Sequence, residues 1–322
     1  METIGVDLGG TKMLVGVVDS ERRVLYRSTA PSHGLGQDEL LETLEHELRA
    51  ARAARPELAA AGLGIPCTID RRRGVAIMAV NLELADVPIR ELMTERLGLP
   101  VLIDNDANVA ILAEHRFGAA RGARNAVMLT IGTGIGGGLI IDGQLYRGST
   151  GAGAELGHTV IDADGPPCQG NCPNRGCIEA LASGTAIARD GLAAAEAAPE
   201  SALGRALARG AQLDGKEVTD AALAGDATAR GVLEEVGRRL GVAFSSFANT
   251  FEPDVILIGG GVSRAGELLA GPARRELAAR ALPPMNGTRV ATAELGPDAG
   301  MIGAATMAAT ELEGSGVGCP DD

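Results

Sequence analysis

The densest chemistry in this chain lies between Gly151 and Glu179, GAGAELGHTVIDADGPPCQGNCPNRGCIE. One histidine, three cysteines and two well-placed glutamates share a stretch too rich in glycine and proline to hold itself. His158, Cys168, Cys172 and Cys177 stand with nine, three and four residues between successive members. A Cys3His set fills all four corners of a zinc tetrahedron, and a filled shell leaves no position for a catalytic water. The metal expected here is a structural staple that ties the loop so that Glu155 and Glu179 face a common cavity. The competing reading, three ordinary reduced cysteines and a solvated histidine, fits less well with such close clustering in a chain without a secretory pattern. Vicinal hydroxyls on a neutral sugar suit paired carboxylates, and the second ring nitrogen of His158 suits a further hydroxyl.

Two glycine turns between strands come next. In DLGGTK, Gly9, Gly10 and Thr11 offer backbone N–H groups, Lys12 a point charge, and Asp7 a carboxylate placed to hold a magnesium ion through water. In TIGTGIGG, Gly132, Thr133 and Gly134 repeat the arrangement. Neither is a Walker A loop, since G-x-x-x-x-G-K-[ST] is absent and the first turn returns into a strand. A third run, Gly259 to Gly261, closes a strand, where ligands gather in α/β sheets. Singly, each is a tight hairpin; together they point to a nucleotide such as ATP.

Asp104, Asn105 and Asp106 sit where the strand VLI gives way to a helix. Asn105 or Asp106 satisfies an N-cap, and a carboxylate at such a strand end can also take the proton of a hydroxyl attacking a γ-phosphoryl group. The residues alone leave Asp104 and Asp106 both open for that role. No serine, cysteine or lysine shows the paired base of an activated nucleophile, which favours direct transfer over a covalent intermediate.

The elements that must position these groups repeat. Thr3 to Ser28 reads as strand, glycine turn, strand, polar turn, strand, and Ala126 to Tyr146 reads the same way. Helices are expected over Asp38–Arg55, Ile89–Leu97 and Ala107–Phe117, with buried strands from Ala59 to Pro66 and at VLID. Alanine-rich helices run from about Ile178 to Thr250, followed by the strand DVILIGGG, a helix over Ser263–Leu282, the strand RVATAEL and a last helix over Ala299–Glu311. Arg71, Arg72 and Arg73 read as a solvated hairpin tip. The duplicated βββαβαβα pattern predicts an α/β protein of two domains facing each other across a cleft. The first spans 1–117 with the C-terminal helix of about 299–312; the second spans 118–298 and carries the zinc-bound loop 151–179. The tail from Gly314 is expected to be disordered.

The chain has 322 residues, 45% of them hydrophobic, enough for two cores. A formal charge of −13 and a pI near 4.9 argue against nucleic acid or an anionic membrane as partner. No run approaches a membrane span and the start METIGVDLGG lacks a signal pattern, so a cytoplasmic protein is expected. Cys67 and Cys319 stand apart from the cluster, which does not describe a disulfide framework.

With DLGGTK, DNDAN, GTGIGGG, ELGH and GCIE in one order, the sequence resembles the ROK family of sugar kinases and repressors, and within it the bacterial glucokinases, from Gly5 to about Ala308. The resemblance implies the actin-like (ribonuclease H-like) two-domain kinase fold and transfer of the γ-phosphoryl group of Mg-ATP to the 6-hydroxyl of glucose. Because DNDAN is similar to the family's E-N-D-A-N, it implies Asp106 as the base. By the same matching Asn105, Asp106, Glu155, His158 and Glu179 would hold the hexose, and His158 with the cysteines the zinc. It also suggests a homodimer or homotetramer. Mannose, fructose or N-acetylmannosamine are alternative substrates. A sugar-sensing repressor is the other class; it calls for a helix-turn-helix ahead of the first hairpin, where only six residues precede Asp7, and for basic clusters where this chain is acidic. Two departures from the family pattern stand out: three residues separate Cys168 from Cys172, and Ala85 replaces an aromatic residue before Asp86-Val87-Pro88.

Overall fold

Apolar runs bounded by turns set the first sheet. β1 (Glu2–Leu8) and β2 (Lys12–Asp19) form an antiparallel hairpin in register from Glu2 opposite Asp19 to Leu8 opposite Met13, and β3 (Val24–Pro31) pairs along β2. Helix α1 (Gln37–Ala54) buries Leu40, Leu41, Leu44, Leu48 and Ala51, which recur at helical spacing and so form one face. β4 (Ala61–Ile65) then adds parallel to β1. A small antiparallel sheet of β5 (Cys67–Asp70), β6 (Val75–Ala79) and β7 (Ala85–Val87) interrupts the pattern before α2 (Ile89–Leu97). β8 (Val101–Asn105) joins β4 in parallel and runs straight into α3 (Asp106–Phe117). The sheet order is β3-β2-β1-β4-β8. All five residues of β4 are buried, as expected of a parallel strand covered on both faces.

The computed structural model describes residues 1–79, 82–170 and 172–314. The same plan recurs in it. β9 (Ala126–Ile131), β10 (Ile135–Ile141) and β11 (Gln144–Leu145) form the second meander. The helices α4 (Ile178–Ala182), α5 (Gly184–Ala197), α6 (Ala202–Ala208), α7 (Gly215–Leu223) and α8 (Ala227–Phe251) follow. β12 (Val255–Gly259), α9 (Glu267–Arg280) and β13 (Arg289–Thr292) complete the order β11-β10-β9-β12-β13. The two sheets therefore share one topology, two antiparallel pairings followed by two parallel ones, as in the duplicated α/β, actin-like architecture.

The chain divides into two compact units: Met1–Arg121 with Leu145–Ala154 and the segment from Pro297, and Gly122–Gln144 with Glu155–Gly296. The last helix, α10 (Ala299–Gly314), belongs to the first unit, where it packs on β1, β4 and α3. Bare backbone makes that seam close. A Cβ at Gly62 would overlap the Ala304 carbonyl oxygen, and one at Gly303 would overlap the Val109 carbonyl oxygen.

Four sequence expectations change. Leu145–Ala154 groups with the first unit rather than with the second, and Arg147 bonds to Asp104 and Glu311 there. The helix expected over Ser263–Leu282 is a 3-10 turn over Gly261–Ala265, a break at Gly266 with φ +55°, and then α9. The last strand is shorter than RVATAEL, ending at Thr292. Arg71 is not solvated as the hairpin-tip reading had it; its guanidinium pairs with Glu311, whereas Arg73 is exposed and faces Asp70 at 3.8 Å. The expectation for the tail beyond Gly314, Cys319 included, lies outside the described residues, as does Val80. Among the described residues, no helix is long and apolar enough to cross a membrane.

Candidate active site and metal centre

In the first unit the end of β8 and the start of α3 separate two aspartates by environment. Asp104 is 1% exposed and fully engaged: its Oδ1 accepts from the Asn105 N–H and from Asn108 Nδ2, each at 2.8 Å, and its Oδ2 from Arg147 Nε at 2.5 Å. Asn105 is the N-cap, its Oδ1 accepting from Ala107 N–H at 2.9 Å and Asn108 N–H at 3.4 Å, which leaves its amide nitrogen to reach the Cys67 carbonyl at 3.5 Å. Asp106 is half-buried and accepts from the Ala107 N–H at 2.9 Å. Its charge bears on Asp7, the other carboxylate of this corner.

Asp7 ends the apolar part of β1 and lies against the first turn of α10, where a Cβ on Gly300 would stand 2.6 Å from its carboxyl carbon. Desolvation, helped by the negative charge of Asp106 and opposed by Lys12, pushes its carboxyl up to about 7. Two carboxylates held this way are short of positive charge, the condition a divalent cation relieves. Beside them, the carbonyls of the Gly9–Thr11 turn face into the unit: Thr11 accepts from the Ser32 and His33 N–H groups at 3.2 and 3.3 Å, and Gly9 from Ser32 Oγ at 2.5 Å. A bare turn of this kind is the backbone that an anion-binding nest uses.

The second unit repeats this device. The Gly132 carbonyl accepts from Gly184 N–H at 2.8 Å, and the Thr133 carbonyl from Gln169 Nε2 at 3.0 Å and Thr185 Oγ1 at 2.9 Å. Gly132 N–H is spent within the turn, on the Gly134 carbonyl at 2.9 Å, so of the three expected donors Thr133 and Gly134 remain. Gly134 is bare for a further reason: a Cβ there would overlap Oε2 of Glu179, the same oxygen that accepts from Ile135 N–H at 2.7 Å. In the third run, Gly260 has φ +77° and abuts the backbone of Ile131, so packing within the sheet accounts for its missing Cβ, whereas Gly261 has open space around it.

The 155–179 loop holds itself better than its composition suggests. Ile161 N–H donates to the Gly176 carbonyl at 2.9 Å, Cys168 N–H to Asn174 at 2.9 Å, Gly176 N–H to Pro166 at 2.8 Å and Ile178 N–H to Thr159 at 3.0 Å, making a short irregular ribbon. The ligand atoms of His158, Cys168, Cys172 and Cys177 all lie within 4.8 Å of one another. A zinc tetrahedron has S···S edges of about 3.8 Å and S···N edges of about 3.6 Å, given its bond lengths. Cys172 and Cys177 are 3.8 Å apart through sulfur, and Cys168 Sγ is 3.6 Å from His158 Nδ1. The donor set thus fits a tetrahedral ion, and the longer spacing between Cys168 and Cys172 does not break it. Burial and the neighbouring thiols push the Cys168 and Cys177 thiols up.

Glu155 and Glu179 flank this cluster. Lost hydration raises the Glu155 carboxyl above its ordinary value; the nearby Glu179 charge adds to the shift and His158 opposes it. Glu179 is 8% exposed at the start of α4, with Oε1 3.6 Å from Cys168 Sγ. Sequence reasoning missed Arg147, Gln169 and Gly300. For Arg147 a signal existed, since it is the one charged residue in LYRGSTGAGA; for Gln169 and Gly300 there was none short of the fold.

Comparison with known proteins places this geometry. The ROK family model matches residues 3–311. The glucokinase of Thermotoga maritima is 36% identical over 317 residues, covering 98% of this chain and 99% of that protein. The glucokinase of Halalkalibacterium halodurans is 37% identical over 307 residues, 93% and 92% of the two chains. Among solved structures, a ROK family glucokinase from Streptomyces griseus in complex with glucose and AMPPNP superposes with a TM-score of 0.85 at 34% identity, covering 96% of this chain and 100% of that one. With the duplicated sheets, both glycine hairpins and the Cys3His loop already in place, the chain belongs to the ROK family.

Proposed function

We propose that this chain is an ATP-dependent glucokinase, moving the γ-phosphoryl group of ATP to the 6-hydroxyl of glucose. The observation that carries the reading is the contrast at the β8–α3 corner, where Asp104 is consumed by Asn105, Asn108 and Arg147 while half-buried Asp106 stands beside Asp7. Asp106 is the general base. As the 6-oxygen bonds to the γ-phosphorus, its proton passes to the Asp106 carboxylate and the bond to the β,γ-bridging oxygen breaks, releasing ADP. The N–H groups of Gly9, Gly10, Thr11, Thr133 and Gly134, with Lys12, hold the phosphates, and Gly261 leaves room for the rest of the nucleotide. Asn105, Glu155, His158 and Glu179 hold the hexose hydroxyls.

Asp7 is the residue suited to magnesium, which when bound would neutralise charge on the transferring phosphoryl group. Zinc fits His158, Cys168, Cys172 and Cys177 as a structural ion; its charge would ionise thiols that the bare loop keeps protonated. His158 would turn Nδ1 to the metal and keep Nε2 for the sugar. A cytoplasmic, homo-oligomeric enzyme is part of the reading and rests on the family resemblance; light scattering of the purified protein decides the assembly.

The test is a coupled assay of ADP release with Mg-ATP across glucose, mannose, fructose and N-acetylmannosamine. The highest kcat/KM is expected for glucose. A preference of tenfold or so for another sugar would reassign the substrate and leave the chemistry intact, and no sugar-dependent ADP release would end the kinase reading.

A further inference from the structure

Leu145–Ala154 groups with the first unit although the residues on either side of it, Gln144 and Glu155, belong to the second. Its one charged side chain is Arg147. Arg147 Nε donates to Asp104 Oδ2 at 2.5 Å and Nη2 to Glu311 Oε1 at 3.1 Å. Arg71 reaches the same two carboxylates, pairing with Glu311 and standing 3.7 Å from Asp104. Arg90 in turn holds the Arg71 and Arg72 carbonyls at 3.0 and 2.9 Å. The Gly153 N–H closes back on the Arg147 carbonyl at 2.9 Å, folding the segment into a small loop around that residue. Two guanidinium groups and two carboxylates are thus balanced at the end of β8. Asp104 is their hub. One of its oxygens fixes the Asn105 N–H and Asn108 at the start of α3, and the other fixes Arg147.

The geometry points to Arg147 as a positioning residue for the transfer reaction: through Asp104 it fixes the Asn105–Asp106 corner, and by the same contact it anchors the segment that runs directly into Glu155. This rests on the kinase reading. Without Arg147, buried Asp104 keeps the Asn105 and Asn108 bonds but loses its close cation, with Arg71 standing off at 3.7 Å, and a buried charge stripped of its ion partner is strongly unfavourable. It must draw in water or a proton, and its grip on Asn105 and Asn108 loosens. Small displacements of a reacting group cost rate steeply, so the effect reaches Asp106 without Arg147 touching substrate.

The test uses the full chain with Arg147→Met, Arg147→Lys and the double variant Asp104→Asn/Arg147→Met, each followed by steady-state kinetics and thermal melting. Arg147→Met should lower kcat about tenfold or more and raise the glucose KM several-fold, with the ATP KM within about twofold of the parent. The double variant should be no worse than Arg147→Met alone, because the stranded charge is gone, and Arg147→Lys should fall between. Arg73→Ala, at the exposed tip of the same hairpin, should change nothing. Near-parental kcat and glucose KM in Arg147→Met overturn the proposal. So does a loss in which both KM values and the melting temperature move together, or a double variant whose losses multiply. If Arg147→Met does not fold, Arg147→Lys carries the same KM comparison and decides it. Parent protein without ADP release dependent on any of the four sugars would sink the kinase reading itself, whereas an active parent with indifferent Arg147 variants sinks this proposal alone.

Discussion

Asp104 and Asp106 are the same residue type two positions apart, and their surroundings give them different work. Asp104 spends its oxygens on Asn105, Asn108 and Arg147 and is a structural anion; Asp106 sets its charge beside Asp7. The residues alone left the choice between them open because the deciding partner of Asp104, Arg147, lies 43 positions further along the chain. Asp7 gives a prediction with a sign. Its folded carboxyl titrates near 7 against an ordinary value of 3.8, so the folded state holds the proton more tightly than the unfolded chain. Stability from this group is therefore present at low pH and is lost as pH rises through 7. Asp7→Asn should be more stable than the parent at pH 8, by on the order of a few kcal/mol, with the gap narrowing toward pH 5, while Mg-ATP turnover collapses. Melting curves at the two pH values check this; a gap that does not change with pH would show that Asp7 keeps an ordinary titration in the folded protein.

At the scale of elements, the sheets and most helices could be read from periodicity, because strand and helix spacing follow from which faces are buried. Bonds between distant backbone segments leave no such trace, which is why the 155–179 loop reads as shapeless in sequence and is a hydrogen-bonded ribbon in the structure. The last helix was expected in the first domain, but the closeness of its seat on β1 and β4, which depends on Gly5 and Gly62 being bare, leaves no such trace. Gly134 is instructive, since a glycine read as an approach for phosphate also clears the Glu179 carboxylate. Gly134→Ala should consequently raise the glucose KM about tenfold, more than the ATP KM, because the carboxylate must swing away from Ile135 N–H. A change confined to ATP would return that glycine to a purely phosphate role. For the Cys3His ribbon, elemental analysis should find about one zinc per chain, the count for a closed four-ligand site. Chelation should abolish glucose affinity at temperatures where circular dichroism is still native; loss of both together would mean that the ion holds up more than the loop.

Across the whole molecule, one topology is used twice, and the duplication was legible in the repeated meanders because glycine turns between apolar strands mark both copies. The assignment of Leu145–Ala154 was not legible, since its contacts, Arg147 with Asp104 and Glu311 among them, join residues far apart in the chain. Net charge acts at this scale too. At −13 the surface repels phosphate backbones, and the protein should not be retained on duplex DNA even at low salt, where basic clusters bind most strongly. Retention there would revive the repressor reading. The decisive measurement is turnover and glucose binding by Asp106→Asn, compared with the parent in the same preparation. Glucose should bind within a few-fold of the parent while kcat falls at least about a hundredfold, the usual scale of losing a general base. Turnover close to the parent's would contradict the assignment of Asp106 as the group that takes the proton.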